Sequence, residues 1–266
     1  MIHDDKLYSG SKDYTIRVWS LKDGECHQTL TGHTSWVNGL AAGTDSTLYS
    51  ASGDRTVRVW SIVDGSNLET LTGHTASVRC LVANRTNLVF SGSKDKTIKV
   101  WRRGPTPTTC IRTLVGHTDV VESLALSADH NTLYSGSWDT TIRVWSNHTH
   151  VKTLSVHTGC VVSLAVGQDG TLVSGSHDGT VRVWSADDFR PIRTFDGTKV
   201  KAVAVGMDGS IVSLRATGEV WYYTFRSDHG TKLYNVVQSD FNTDSAMAFG
   251  PGGALYVGSN EILHIF

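Results

Sequence analysis

Residues 174–184 read Ser-Gly-Ser-His-Asp-Gly-Thr-Val-Arg-Val-Trp, and the chain repeats that phrase from end to end. Ser9–Trp19, Ser50–Trp60, Ser91–Trp101 and Ser135–Trp145 are near copies. Ser213–Tyr223 and a segment closing at Phe266 are weaker ones. The closing aromatics follow at steps of 41, 41, 44, 39, 39 and 43 residues. A second element precedes four copies: Thr31-Gly-His33, Thr72-Gly-His74, Val115-Gly-His117 and Val156-His157. After each His comes an apolar run such as Val78–Ala83 or Val161–Val166, then a polar turn such as Gln168-Asp-Gly170. Each period ends in a short element such as Glu69-Thr-Leu71 or Arg193-Thr-Phe195. Short β-branched and aromatic runs bounded by Gly, Asp, Asn and Ser are strand signals. Nothing reads as a long helical face, and four short strands per period mark a repeat architecture.

The Gly-His element followed by S-G-S-x-D-x-T-[IV]-[RK]-V-W resembles the WD40 repeat family, and the resemblance covers the whole chain. It implies an all-β β-propeller in a single domain over residues 1–266, and the seven hairpins of this kind predict a seven-bladed one. The blades fall at about 1–32, 33–73, 74–116, 117–156, 157–197, 198–238 and 239–266. The sequence departs from the family where Asp is expected after Trp: Ser20, Ser61, Ser146, Ser185 and Arg102 stand there. Only six inner and six outer strands are countable. The first blade is therefore expected to lack its inner strand and the last its outer strand, with Met1 an internal or trimmed start or a neighbouring segment filling the gap.

Net charge is −1 and the pI near 6.9, unlike the basic signature of a nucleic-acid binder. No apolar run is long enough to span a bilayer, and no secretory signal opens the chain. Cys26, Cys80, Cys110 and Cys160 are widely spaced, as expected of reduced thiols in a cytoplasmic protein. The expectation is cytoplasmic, with nuclear and ciliary placement as the alternatives. Asn84-Arg-Thr86 and Asn147-His-Thr149 read as turn sequences rather than glycosylation sites.

Four sets recur: His33, Ser50, Asp54, Trp60; His74, Ser91, Asp95, Trp101; His117, Ser135, Asp139, Trp145; and His157, Ser174, Asp178, Trp184. The family resemblance implies that each is a structural hydrogen-bonded tetrad. An indole N–H needs an acceptor, a hydroxyl passes the bond on, and a carboxylate accepts from both Ser and His. A catalytic Ser-His-Asp set occurs once, whereas this one occurs four times, so no catalytic residue is assigned. Blades 6 and 7 lack the set and are expected to be the least firmly tied. His148-Thr-His150 has no nearby Cys or carboxylate and reads as solvated, so no metal site and no cofactor are assigned.

The resemblance also implies that three positions per blade line the entrance of a top face. Two flank the first Val of the inner strand and one precedes the tetrad Asp. They are Lys12; Trp36, Asn38, Gly53; Ser77, Arg79, Lys94; Val120, Glu122, Trp138; Cys160, Val162, His177; and Lys199, Lys201, Ala216. Five are Lys or Arg and one is Glu, a net 5 − 1 = +4. Trp and Arg are the types most enriched in binding hot spots. The expectation is a protein-interaction scaffold that holds an acidic or phosphorylated peptide or protein within a larger complex. Arg79 and the lysines would meet its charges, and Trp36 and Trp138 would clamp an apolar anchor. The rival readings are the targeting domain of a longer kinase- or ubiquitin-ligase-type enzyme and an RNA-binding propeller. Arg102–Thr109 lengthens one turn on the opposite side and reads as a loop insertion.

Overall fold

Each repeat forms an antiparallel meander in the computed structural model, which describes residues 2–3, 5–43, 45–104, 107–224, 229–235, 246–249, 255–259 and 262–265. Blade 1 comprises Ile2–His3, Lys6–Gly10, Ile16–Ser20 and Cys26–Leu30. Blade 2 comprises Val37–Ala42, Thr47–Ser52, Val57–Ser61 and Asn67–Leu71. Blade 3 follows with Val78–Ala83, Leu88–Ser93, Ile98–Arg102 and Thr109–Leu114, and blade 4 with Val121–Leu126, Thr132–Ser137, Ile142–Ser146 and Thr149–Leu154. Blade 5 holds Val161–Val166, Leu172–Ser176, Val181–Trp184 and Pro191–Phe195, and blade 6 holds Val200–Val205, Ile211–Arg215, Glu219–Tyr223 and Thr231–Asn235. Strands pair in sequence order throughout.

Two expectations are corrected. There are six four-stranded blades among the described residues, not seven. The last repeat contributes a three-stranded sheet, Ala246–Phe249, Leu255–Ser259 and Ile262–Ile265, one strand short of a blade. Blade 1 does have an inner strand. It is two residues long and pairs Ile2 with Leu7 and His3 with Lys6.

The chain divides into two compact units, Met1–Leu124 and Ala125–Phe266. In the first, Tyr49, Val57, Val59 and Leu71 of blade 2 pack with Val78, Leu81, Val89 and Trp101 of blade 3. In the second, Val173, Val181, Val183 and Phe195 pack with Val200, Val203, Ile211 and Tyr223. The Val-Arg-Val-Trp strands explain this. Side chains alternate across a strand, so Val57 and Val59 are fully buried while Arg58 between them is half-exposed. Burying each valine contributes roughly 1.5–3 kcal/mol.

The Asp-x-Thr turn between the second and third strands is just as local. Asp54 Oδ1 accepts from the Thr56 N–H at 3.0 Å and from the Thr56 hydroxyl at 2.6 Å. The intervening residue is left-handed at Arg55 (φ 73°), and the same holds at Tyr14, Lys96, Thr140 and Gly179. The Asp side chain thus fixes a hairpin that ends with its own second oxygen aimed back at the preceding loop.

Candidate functional site

In blade 2 the Trp60 indole N–H donates to Ser50 Oγ (2.8 Å). Ser50 Oγ lies 2.7 Å from His33 Nε2, and His33 Nδ1 lies 2.7 Å from Asp54 Oδ2. A carboxylate only accepts, so Nδ1 carries the proton and Nε2 takes the Ser50 hydroxyl hydrogen. The chain of bonds runs Trp to Ser to His to Asp with a neutral imidazole. Burial pushes the His33 pKa down more than Asp54 raises it, which agrees with that tautomer. Burial alone would raise Asp54. Bonds from Thr56, His33 and the Thr34 N–H outweigh it and hold this carboxyl down to about 2.

The same chain forms in blade 3 through Trp101, Ser91, His74 and Asp95 (2.8, 2.8 and 2.7 Å). It forms again in blade 5 through Trp184, Ser174, His157 and Asp178 (2.8 Å at each step). In the fourth set, Trp145 donates to Ser135 (2.9 Å). One detail of the expectation is revised: the tetrad Ser bonds His and Trp, and the carboxylate takes the Thr hydroxyl and a loop N–H instead. Ser50, Ser91 and Ser174 are fully buried. A triad-like order of groups therefore meets no solvent.

A second serine, missed in the sequence, completes the tie. Ser52 Oγ donates to Ser35 O (3.1 Å), Ser93 Oγ to Ser77 O (3.0 Å) and Ser176 Oγ to Gly159 O (3.0 Å). The signal was present: it is the second Ser of each S-[GA]-S.

The structure brings the expected top-face positions together blade by blade. The residue before the tetrad Asp donates its N–H to the carbonyl of the residue before the inner strand. Gly53 bonds Trp36 (2.8 Å), Lys94 bonds Ser77 (2.8 Å), His177 bonds Cys160 (2.9 Å) and Ala216 bonds Lys199 (2.7 Å). Trp36 and Trp138 are 46% and 41% exposed, large values for indoles in a folded chain. The Lys12 ammonium lies 5.0 Å from the centre of the Trp36 ring, a cation–π contact. Lys94 and Lys199 are exposed.

Arg79, expected to meet a partner's charges, is paired within the chain. Its guanidinium grips Glu122 through Nε (3.1 Å) and Nη2 (2.8 Å), joining blades 3 and 4 inside the first unit. Both side chains are mostly buried, at 20% and 17% exposure. The fork neutralises the charge that a partner would have met. Asn38 is also engaged, donating to Val78 O (2.7 Å) and Ser77 Oγ (3.2 Å).

His150 packs edge-on against Trp145 at 5.5 Å and shares a hydrogen bond with Thr153 Oγ1 (2.9 Å). Among the described residues no three His, Cys, Asp or Glu side chains converge as a metal set. Asn84 is buried, its Oδ1 accepting from the Thr86 N–H, the Thr86 hydroxyl and the Leu88 N–H, so its amide organises a turn.

These repeated ties have known counterparts. The family profile described as "WD domain, G-beta repeat" matches residues 24–61, 65–102, 108–146 and 148–185, more than half of the chain. The chain belongs to the WD40-repeat family. The "WD40 beta propeller domain of Doa1" is similar in structure over 100% of this chain and 89% of that one, with a TM-score of 0.83 and 26% identity. The fold is thus all-β and of the β-propeller type. "Nuclear distribution protein PAC1" of Mycosarcoma maydis is 58% identical over 33 residues. That match spans 12% of this chain and 7% of the relative.

Within this WD40 chain, blade 6 lacks the tetrad, as expected, and a buried arginine makes its loop contacts. Arg215 stands where the other blades have their second Ser, and it is 2% exposed. Its Nη1 donates to Thr198 O and to Gly179 O of blade 5, both at 2.7 Å. Its Nη2 donates to Tyr223 Oη (2.6 Å), which lies 3.1 Å from Ser213 Oγ. One guanidinium replaces His, Asp and the second Ser. Gly197 makes room: a Cβ there would sit 3.0 Å from Arg215 Cζ and 3.1 Å from both Nη atoms. The signal in the sequence was the simultaneous loss of His, Asp and Trp together with an Arg.

Proposed function

We propose that this protein is a non-catalytic protein-interaction module of a larger assembly, working in the cytoplasm. It recognises a partner protein or peptide through the loops before its inner strands. The observation that carries the reading is the exposure of Trp36 and Trp138. The Trp36 loop is held by the Gly53 N–H, which donates to the Trp36 carbonyl, and both indoles stay exposed. A large exposed indole on a rigid loop is the kind of anchor on which binding energy concentrates. Lys12 against Trp36, with Lys94 in the next blade, favours an acidic or phosphorylated segment beside the first anchor. Exposed Lys199, two residues before Lys201, favours the same chemistry in the second unit.

The test is site-specific cross-linking. A photoreactive phenylalanine analogue is placed at position 36, at 138, or at the exposed Val63 far along the chain from either loop. The reading expects one protein adduct from 36 and 138 and none from 63. Adducts formed only from position 63 would overturn it.

A further inference from the structure

The turns at the other end of the sheets differ sharply in charge. These are the turns that join the inner strand to the second and the third strand to the outer. Blade 1 carries Asp5, Asp23 and Glu25 in them, blade 2 Asp45 and Asp64, and blade 4 Asp129. Blade 5 carries Asp169, Asp187 and Asp188, and blade 6 Asp208. Blade 3 alone of the six has no acidic residue in either turn. Asn84 takes the place of the turn Asp, and Arg85, Arg102 and Arg103 crowd the same end of the sheet.

The arginines are brought together by the backbone. Arg102 pairs with Leu88 across the sheet, and the Arg103 N–H donates to Asn87 O at 2.9 Å, locking the two turns side by side. Arg103 is half-buried and already holds a carboxylate, Asp45 of blade 2, as well as Thr47 Oγ1 (3.1 Å). Arg85 and Arg102 are exposed and, among the described residues, pair with no carboxylate. The Thr108 N–H, before the outer strand, donates to Glu69 Oε2 of blade 2 (3.2 Å).

We infer that this end of blade 3 is a second interaction surface, distinct from the tryptophan-bearing loops, which docks an acidic segment of a partner protein. Charge complementarity is the argument. Guanidinium forks match carboxylates, and Arg103 with Asp45 shows that pairing in place. Within the same unit, the acidic turns of blades 1 and 2 repel an anion and so favour blade 3 as the place where the segment lands.

The test uses the full chain and a fluorescein-labelled peptide of eight glutamates flanked by glycine and serine. Anisotropy is recorded for wild type, Arg85→Gln/Arg102→Gln and a charge-matched control, Arg55→Gln/Arg112→Gln, whose arginines are exposed and lie outside both proposed surfaces. Circular dichroism confirms that each folds. The inference expects saturable binding that weakens with salt, weakens at least tenfold in Arg85→Gln/Arg102→Gln, and changes less than twofold in the control. Equal binding to wild type and Arg85→Gln/Arg102→Gln would overturn it. So would an equal loss in the control, which would make the binding a general charge effect. Preferential binding of a poly-uridine oligonucleotide or of phosphatidylserine vesicles through these arginines, with none of the peptide, would replace the protein partner by RNA or membrane and overturn it too.

Discussion

Arg215 donates to the Tyr223 hydroxyl across 2.6 Å, in a blade whose tetrad positions hold no His, Asp or Trp. Blade 6 has exchanged a relay of neutral and acidic groups for one buried cation with neutral acceptors. Truncating it leaves the Thr198 and Gly179 carbonyls and the Tyr223 hydroxyl without their donor. Arg215→Ala should cost roughly 3 kcal/mol. Hydrogen exchange should show protection falling across residues 198–223 while residues 33–101 hold. In the wild type, blade 6 should be protected as well as blade 5. Markedly faster exchange in wild-type blade 6 would mean that the guanidinium does not replace the tetrad.

The tetrads make stability depend on acid in a defined direction. His33 and His157 have pKa values below the ordinary 6.5, because burial favours the neutral ring over the attraction of Asp54 and Asp178. The unfolded chain therefore binds more protons, and stability falls as pH drops below that value. Asp54, held at about 2 against an ordinary 3.8, adds stability that is full above 3.8 and lost as pH falls towards 2. Asp95 and Asp178 are lowered as well and act the same way. Melting temperature should therefore decline from pH 7 to pH 5 and more steeply below pH 4. A melting temperature flat from pH 7 to pH 5 would contradict the neutral-imidazole tautomer.

Replacing His74 with Leu keeps the volume but strips Asp95 and Ser91 of their ring partner. Cutting one member from a buried ionic or hydrogen-bonded pair costs roughly 3 kcal/mol. Chemical denaturation should show that loss. Asp95→Asn in the same background should recover part of it, because no isolated carboxylate is then left. An undiminished midpoint in His74→Leu would show that the tetrad contributes little.

Arg79 and Glu122 should behave as a structural pair. A double-mutant cycle with Arg79→Gln and Glu122→Gln should return a coupling of about 1 kcal/mol in stability. Partner binding should be unchanged in the double Gln variant. Loss of the partner there, with folding intact, would restore Arg79 to the recognition surface.

The strands, their order and the tetrads were legible in the sequence because they depend on local patterns that recur: Val-Arg-Val-Trp alternation, the Asp-x-Thr turn, and His at a fixed distance from Ser. What was not legible depended on contacts between blades. Arg79 and Glu122 stand 43 residues apart, and nothing in either repeat marks them as partners. Arg215 was visible as an oddity, but its reach to Gly179 of the preceding blade was not. The two-residue inner strand of blade 1 is too short to show a pattern at all. The exposed tryptophans were legible because they break their own repeat: Trp138 stands where the siblings have Gly53, Lys94 and His177.

Recognition through the tryptophan-bearing loops is tested most directly by affinity capture with mass spectrometry, comparing wild type with Trp36→Ala/Trp138→Ala. Both substitutions remove exposed side chains, so folding, checked by circular dichroism, should be intact. Proteins that bind the wild type and disappear from the variant are the predicted result. An unchanged set of captured proteins from a folded variant would contradict it and move recognition away from these loops.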